Sequence, residues 1–66
     1  MNNQNTLHPC PCCNYETLAS KSRGSFEICS ICDWEDDNIQ FDNPYYEGGA
    51  NNISLYQARR NFLSNK

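Results

Sequence analysis

The chain has 66 residues, of which 38% are apolar, below the roughly 45–50% usual for a globular domain, so it holds one small core and no second domain. No apolar run approaches the roughly 18 residues of a membrane helix, and so short a chain argues against an enzyme with a deep cleft. Five Lys and Arg against eight Asp and Glu give a formal charge of −3 with no basic run, which argues against a phosphate-backbone binder. In chain order, residues 1–7 are Asn-rich and read as a flexible N-terminus, and residues 8–66 as one domain. His8 to Asn14 is dense in Cys and Pro. Tyr15–Leu18 reads as a short strand, Ala19–Gly24 as a turn, and Ser25–Ile28, with its period-two alternation, as the return strand of a hairpin. The alternation in Asn38–Phe41 predicts a third strand, and Asp42–Asn52 a loop punctuated by Pro44, Gly48 and Gly49. Ser54 with Gln57 fits a capping box that opens a helix from Leu55 to about Ser64. On that helix Leu55, Ala58, Phe62 and Leu63 share one face, with Arg59 inside the same stripe. No internal repeat is evident.

A core with no Val and five Cys needs a staple: a metal, disulfides or a partner subunit. Met1–Leu7 has neither the positive charge nor the apolar stretch of a secretory signal, so the expected compartment is the cytoplasm, where thiols stay reduced. Five cysteines also leave one over if disulfides form. Cys10 and Cys13 make one CxxC pair and Cys29 and Cys32 another, with 15 residues between the pairs. That spacing is the pattern of a four-cysteine site for one Zn²⁺ per chain. Iron in a rubredoxin-type site would use the same ligands and is the lesser expectation. Asn14 and Asp33 follow the two pairs, and both residue types tolerate the positive φ such turns need. Cys12 is the surplus thiol: a space-filler, an alternate ligand in place of Cys13, or a reactive group. His8, the lone His near a terminus, reads as inert. The predicted fold is a small metal-stabilised α+β domain. It comprises a zinc-ribbon or rubredoxin-like β-hairpin with two CxxC knuckles, plus one C-terminal α-helix.

The match to a known family rests on an ordered series of blocks. These are Cys10-Pro11-Cys12-Cys13, then Cys29-Ser30-Ile31-Cys32-Asp33-Trp34-Glu35-Asp36-Asp37, then Gly48-Gly49-Ala50-Asn51, Ser54-Leu55 and Ala58-Arg59 ahead of Asn61-Phe62. Over roughly residues 8–62 the chain resembles the bacterial cysteine-rich CPCC family. The resemblance implies a small bacterial cytosolic domain that binds zinc, and it brings no activity with it. Asn14 stands where the family usually has Gly, a change that the positive-φ argument accommodates.

Two surfaces are candidates for a partner: the acidic run Trp34, Glu35, Asp36 and Asp37, and the adjacent tyrosines Tyr45 and Tyr46. A competing structural reading pairs Arg59 with Asp36 or Asp37, and sets Trp34 against the metal site with Leu55 or Phe62. Four ligating thiolates and one Zn²⁺ add a formal −2 to the chain's −3, which favours a basic protein partner. No nucleophile–base pair has usable spacing, so no catalytic residue is assigned. The expected function is a non-enzymatic zinc-binding module that binds a protein as adaptor, inhibitor or immunity factor. The alternatives are a nucleic-acid-binding zinc ribbon and a thiol redox or metal-transfer protein acting through Cys12.

Overall fold

The computed structural model describes residues 6–21 and 23–64; most of the expected flexible N-terminus, residues 1–5, lies outside them. Four elements follow in chain order: β1 (His8–Pro9), β2 (Glu16–Leu18), α1 (Asn38–Asp42) and α2 (Leu55–Ser64). With its two-stranded antiparallel hairpin, C-terminal helix and clustered cysteines, the molecule is a small α+β fold suited to stabilisation by a metal.

The hairpin forms from other partners than the alternation suggests. β1 pairs with β2 antiparallel, His8 against Leu18 and Pro9 against Glu16, with an irregularity between His8 and Pro9. Ser25–Ile28 does not return along Tyr15–Leu18. It pairs instead with the chain after the second cysteine pair: Ile28 bridges Glu35, Phe26 N–H donates to Asp36 O at 2.9 Å, and Asp36 N–H donates to Glu27 O at 2.9 Å. The reason is local. A CxxC turn reverses the chain within five residues and is closed by a backbone hydrogen bond of its own, so the flanks on either side of it are set against each other. In the first turn Asn14 N–H reaches Cys10 O at 2.8 Å, and in the second Asp33 N–H reaches Cys29 O at 2.9 Å. Both turns close through a left-handed residue, Asn14 at φ 69° and Asp33 at φ 68°, as the residue types predict. The apolar residues of the 25–28 alternation face outward, with Ile28 62% exposed.

These two units are copies of one another at a shift of 19 positions, contrary to the expectation of no internal repeat. Cys10 N–H to Tyr15 O is matched by Cys29 N–H to Trp34 O, both 2.9 Å, and the pair Pro9–Glu16 is matched by Ile28–Glu35. The shared letters are few: Cys10 and Cys29, Cys13 and Cys32, Glu16 and Glu35, with Asn14 for Asp33 and Tyr15 for Trp34 as near matches.

Asn38–Phe41 is helical rather than a third strand. Asp37, in extended conformation, caps α1 by accepting from Ile39 N–H at 2.7 Å and Gln40 N–H at 3.2 Å. Alternation misled because the buried side chain of α1 is Gln40, while Ile39 is exposed and Phe41 only half-buried. The 42–52 segment is a loop as expected, and Gln40 organises it. Its Nε2 donates to Tyr46 O and Ile53 O, each at 3.0 Å, and to Asn51 O at 3.4 Å. Its Oε1 accepts from Asn51 N–H at 3.1 Å and Asn51 Nδ2 at 2.9 Å. Asn51 then mimics a paired strand, exchanging its side-chain amide with the backbone of Glu35 at 2.9 and 2.8 Å. Gly49 sits against this cluster so closely that a Cβ there would lie 2.5 Å from Asp37 Oδ2 and 2.7 Å from Gln40.

α2 opens with half of the expected capping box. Ser54 Oγ accepts from Gln57 N–H at 3.0 Å, but the Gln57 side chain turns forward to Asn61 at 2.9 Å instead of reaching back. Leu55 is fully buried, Ala58 and Phe62 are half-buried, and Leu63 is 67% exposed, so the buried stripe is narrower than its sequence suggests. Phe62 meets Tyr15 edge-to-face at 6.1 Å between centroids. Arg59 forms no pair with Asp36 or Asp37. Its Nε donates to Pro11 O at 2.8 Å, tying α2 to the first cysteine turn. The core is Cys10, Leu18, Cys29, Trp34 and Leu55.

Candidate metal centre

The two turns face each other and bring the Sγ atoms of Cys10, Cys13, Cys29 and Cys32 within 4.8 Å of one another. The close pairs run across the turns: Cys10 to Cys32 and Cys13 to Cys29, each 3.6 Å. Sulfurs at about 2.3 Å from a central ion form a tetrahedron with edges of about 3.8 Å. These four are spaced to hold one metal ion.

The surroundings suit thiolates, which accept hydrogen bonds and do not donate them. Cys12 N–H points at Cys10 Sγ at 3.4 Å, and Ile31 N–H, 19 positions on, points at Cys29 Sγ at 3.3 Å. The amides of Tyr15 and Trp34 do the same for Cys13 and Cys32. Thr17, which sequence reading did not single out, donates its hydroxyl to Cys29 Sγ at 3.0 Å. Its signal is its place on β2, three residues after the left-handed Asn14 and facing the opposite pair.

Protonation is shared unevenly without a metal. Burial opposes the Cys29 thiolate, but the Thr17 hydroxyl, the amides of Cys32 and Ile31 and the Cys13 thiol together draw it down to about 6. Burial pushes Cys13 up to about 11, only partly offset by the Tyr15 amide, and Cys29 adds to the rise. Cys32 is pushed up further still by burial and by Cys10, despite the Trp34 amide. A divalent cation removes this conflict by replacing the shared protons.

The remaining expected site residues are placed as follows. Cys12 is half-buried beside Cys32, and burial raises its thiol. Trp34, Asp36 and Asp37 are buried and engaged inside the molecule, which removes them from the expected partner surface. Trp34 belongs to the core with Cys10, Cys29 and Leu55. Asp36 Oδ2 accepts from Gly24 N–H at 3.1 Å, Ser25 N–H at 3.2 Å and Ser25 Oγ at 3.0 Å. Asp37 Oδ2 accepts from Ala50 N–H at 2.7 Å. Glu35 is half-buried, while Tyr45 and Tyr46 are exposed, Tyr45 packing on Tyr56 at 5.1 Å. Sequence reading gave Gln40 no role and took Asn51 only as part of the family blocks.

Among the described residues, no helix is long and apolar enough to cross a membrane. Comparison with curated proteins returned no match. The family model described as cysteine-rich CPCC matches residues 8–65, the span that holds both knuckles, the Gln40 cluster and α2, and the chain belongs to that family.

Proposed function

We propose that the chain is a non-enzymatic cytoplasmic module that binds one Zn²⁺ through Cys10, Cys13, Cys29 and Cys32 and uses its outer faces to bind a protein partner. The carrying observation is the set of four Sγ atoms within 4.8 Å of one another. An all-sulfur, closed tetrahedral set is the donor chemistry of structural zinc, which stabilises a fold and leaves no open position for a substrate. A zinc ion held by these four sulfurs would supply positive charge that fixes them in place; the N–H groups of Cys12 and Ile31 and the Thr17 hydroxyl orient the sulfurs that would receive it.

Exposed apolar side chains and acidic charge support a protein as partner. Tyr45, Tyr46, Ile28 and Ile31 are all exposed, and the metal-loaded chain is more acidic than its −3. Three arginines are occupied on the protein's own surface: Arg59 on Pro11 O, Arg23 over Phe41 at 4.8 Å and Arg60 over Tyr56 at 5.8 Å. That leaves little for a nucleic-acid phosphate. An adaptor, inhibitor or immunity role fits this surface.

Native mass spectrometry with elemental analysis tests the metal. The expected result is one zinc per chain, lost together with the fold on chelation. Iron in its place, or a metal-free chain with two disulfides, overturns the zinc reading. Affinity capture with the zinc-loaded chain, read against a Tyr45→Ala/Tyr46→Ala variant, tests the partner face.

A further inference from the structure

Asp36 and Asp37 are spent on the molecule's own amides, but the two carboxylates that precede them are not. Asp33 is exposed and Glu35 half-buried, and neither carboxylate has a hydrogen-bond or ion-pair partner among the described residues. Both line an open groove of about 470 Å³ together with Trp34, Asn51, Asn52 and Ile53. No Lys, Arg or His lines it, so its negative charge is unopposed. The cavity beside Tyr15 and Phe62 has the opposite character, its charged lining residue being Arg59. The walls of the acidic groove are fixed in advance. Asp33 is locked in the left-handed region at φ 68°, with its N–H on Cys29 O at 2.9 Å. Asn51 clamps the Glu35 backbone from both sides, at 2.9 and 2.8 Å, and is itself held by Gln40. Trp34 is 3% exposed, yet its indole N–H has no acceptor among the described residues, so the wall includes a donor that the chain leaves unspent.

We propose that this groove is the docking site for an arginine side chain of a basic protein partner. The inference rests on the protein-binding reading above and gives it a place and a chemistry. Charge selects the occupant: two unpaired carboxylates, on a chain of formal charge −3, favour a cation. The apolar lining from Trp34, Ile53 and Ala58 suits the methylene stem that carries it. A guanidinium serves better than an ammonium, because it is more weakly hydrated and presents its donors as a planar fork that two carboxylates can share. Because the walls are held by backbone and carboxamide hydrogen bonds, little ordering remains to be done on binding. The groove is separate from the Tyr45 and Tyr46 face, neither of which lines it.

Amide NMR titration of the zinc-loaded chain with N-acetyl-arginine methylamide tests the proposal. The backbone resonances of Asp33, Glu35 and Asn52 and the Trp34 indole N–H should shift saturably, because these residues line the groove. N-acetyl-citrulline methylamide, the same shape without the charge, should bind about tenfold more weakly. Asp33→Asn/Glu35→Gln should weaken the arginine amide by about the same factor. The turn should survive that change, since Asn14 already holds the matching left-handed position. Saturable shifts confined to another face, equal binding of the citrulline amide, or an unchanged double variant overturns the proposal. Should the double variant fail to fold, the arginine–citrulline comparison on the wild-type chain decides. The failures are distinguishable: affinity capture that returns no protein overturns the partner reading, elemental analysis without zinc overturns the metal reading, and a zinc-loaded chain indifferent to arginine overturns the groove alone.

Discussion

The two knuckles and the Asp37–Asn51 region solve the same problem by opposite chemistry. Each must fix irregular backbone in a chain too short to bury much apolar surface. Across residues 8–36, four sulfurs converge, and two of the five core side chains are themselves metal-ligand candidates. Across residues 37–53 the organising groups are polar: a carboxylate at Asp37 and carboxamides at Gln40 and Asn51, which pair with backbone as strands would elsewhere. One region is spaced to hold a metal ion, and the other is tied by hydrogen bonds within the chain. A small domain can thus make up for a missing core with a metal site or with hydrogen-bonded buried polar groups, and here the two lie side by side.

Removing the metal should separate the regions most sharply. Structural zinc in small peptides is worth about 10–16 kcal/mol, so chelation at neutral pH should abolish the cooperative thermal transition followed by circular dichroism. Survival of that transition would mean that the polar region and α2 fold without the knuckles.

Asp37→Ala attacks the other region and should cost about 3 kcal/mol in chemical denaturation, because the amides of Ile39, Gln40 and Ala50 lose their acceptor. Zinc stoichiometry should stay at one per chain. Gly49→Ala should cost about 1–3 kcal/mol, since the new methyl meets Asp37 and Gln40 inside contact distance. If either variant loses zinc as readily as a ligand-cysteine variant, the two regions are one cooperative unit.

Acid should release the metal before it protonates Asp37. Thiols compete with the metal for protons, and Cys13 without metal is held up at about 11, so metal leaves first as pH falls. The Ala50 amide, opposed by burial and joined by the amides of Gln40 and Ile39, holds Asp37 below the usual carboxylate range. Its contribution is therefore complete above the unfolded value of about 3.9 and is lost as pH falls through the lower folded value. The α1 resonances in an NMR titration should be lost together with the metal, as on chelation. Resonances that outlast metal release would mean that this region folds without the knuckles.

A finer probe is Thr17→Val, which removes the hydroxyl on Cys29 and should weaken zinc about tenfold in a competition titration. Arg59→Met should have the smallest effect, below about 1 kcal/mol, as its partner is one carbonyl at the surface.

What the amino-acid sequence discloses follows the same divide. The ligand set, the left-handed Asn14 and Asp33 and the Ser54 cap are legible because each is encoded within a few residues. The pairing of Ser25–Ile28 is not, because its alternation of apolar residues is real but faces solvent. Nor is α1: a glutamine reads as surface, and only its partners at Tyr46, Asn51 and Ile53 explain why Gln40 is wholly buried. The repeat escaped notice because its copies share hydrogen bonds more than letters.

That repeat bears on how the centre assembles. Each turn pre-aligns two sulfurs through contacts a few residues apart, so either can form a first, two-sulfur encounter with a metal before its counterpart exists. The single long closure left is the fifteen-residue spacer between Cys13 and Cys29, and doubling such a spacer costs only about 0.6 kcal/mol. On the metal-binding reading, capture would then be a zippering of two local nuclei in either order.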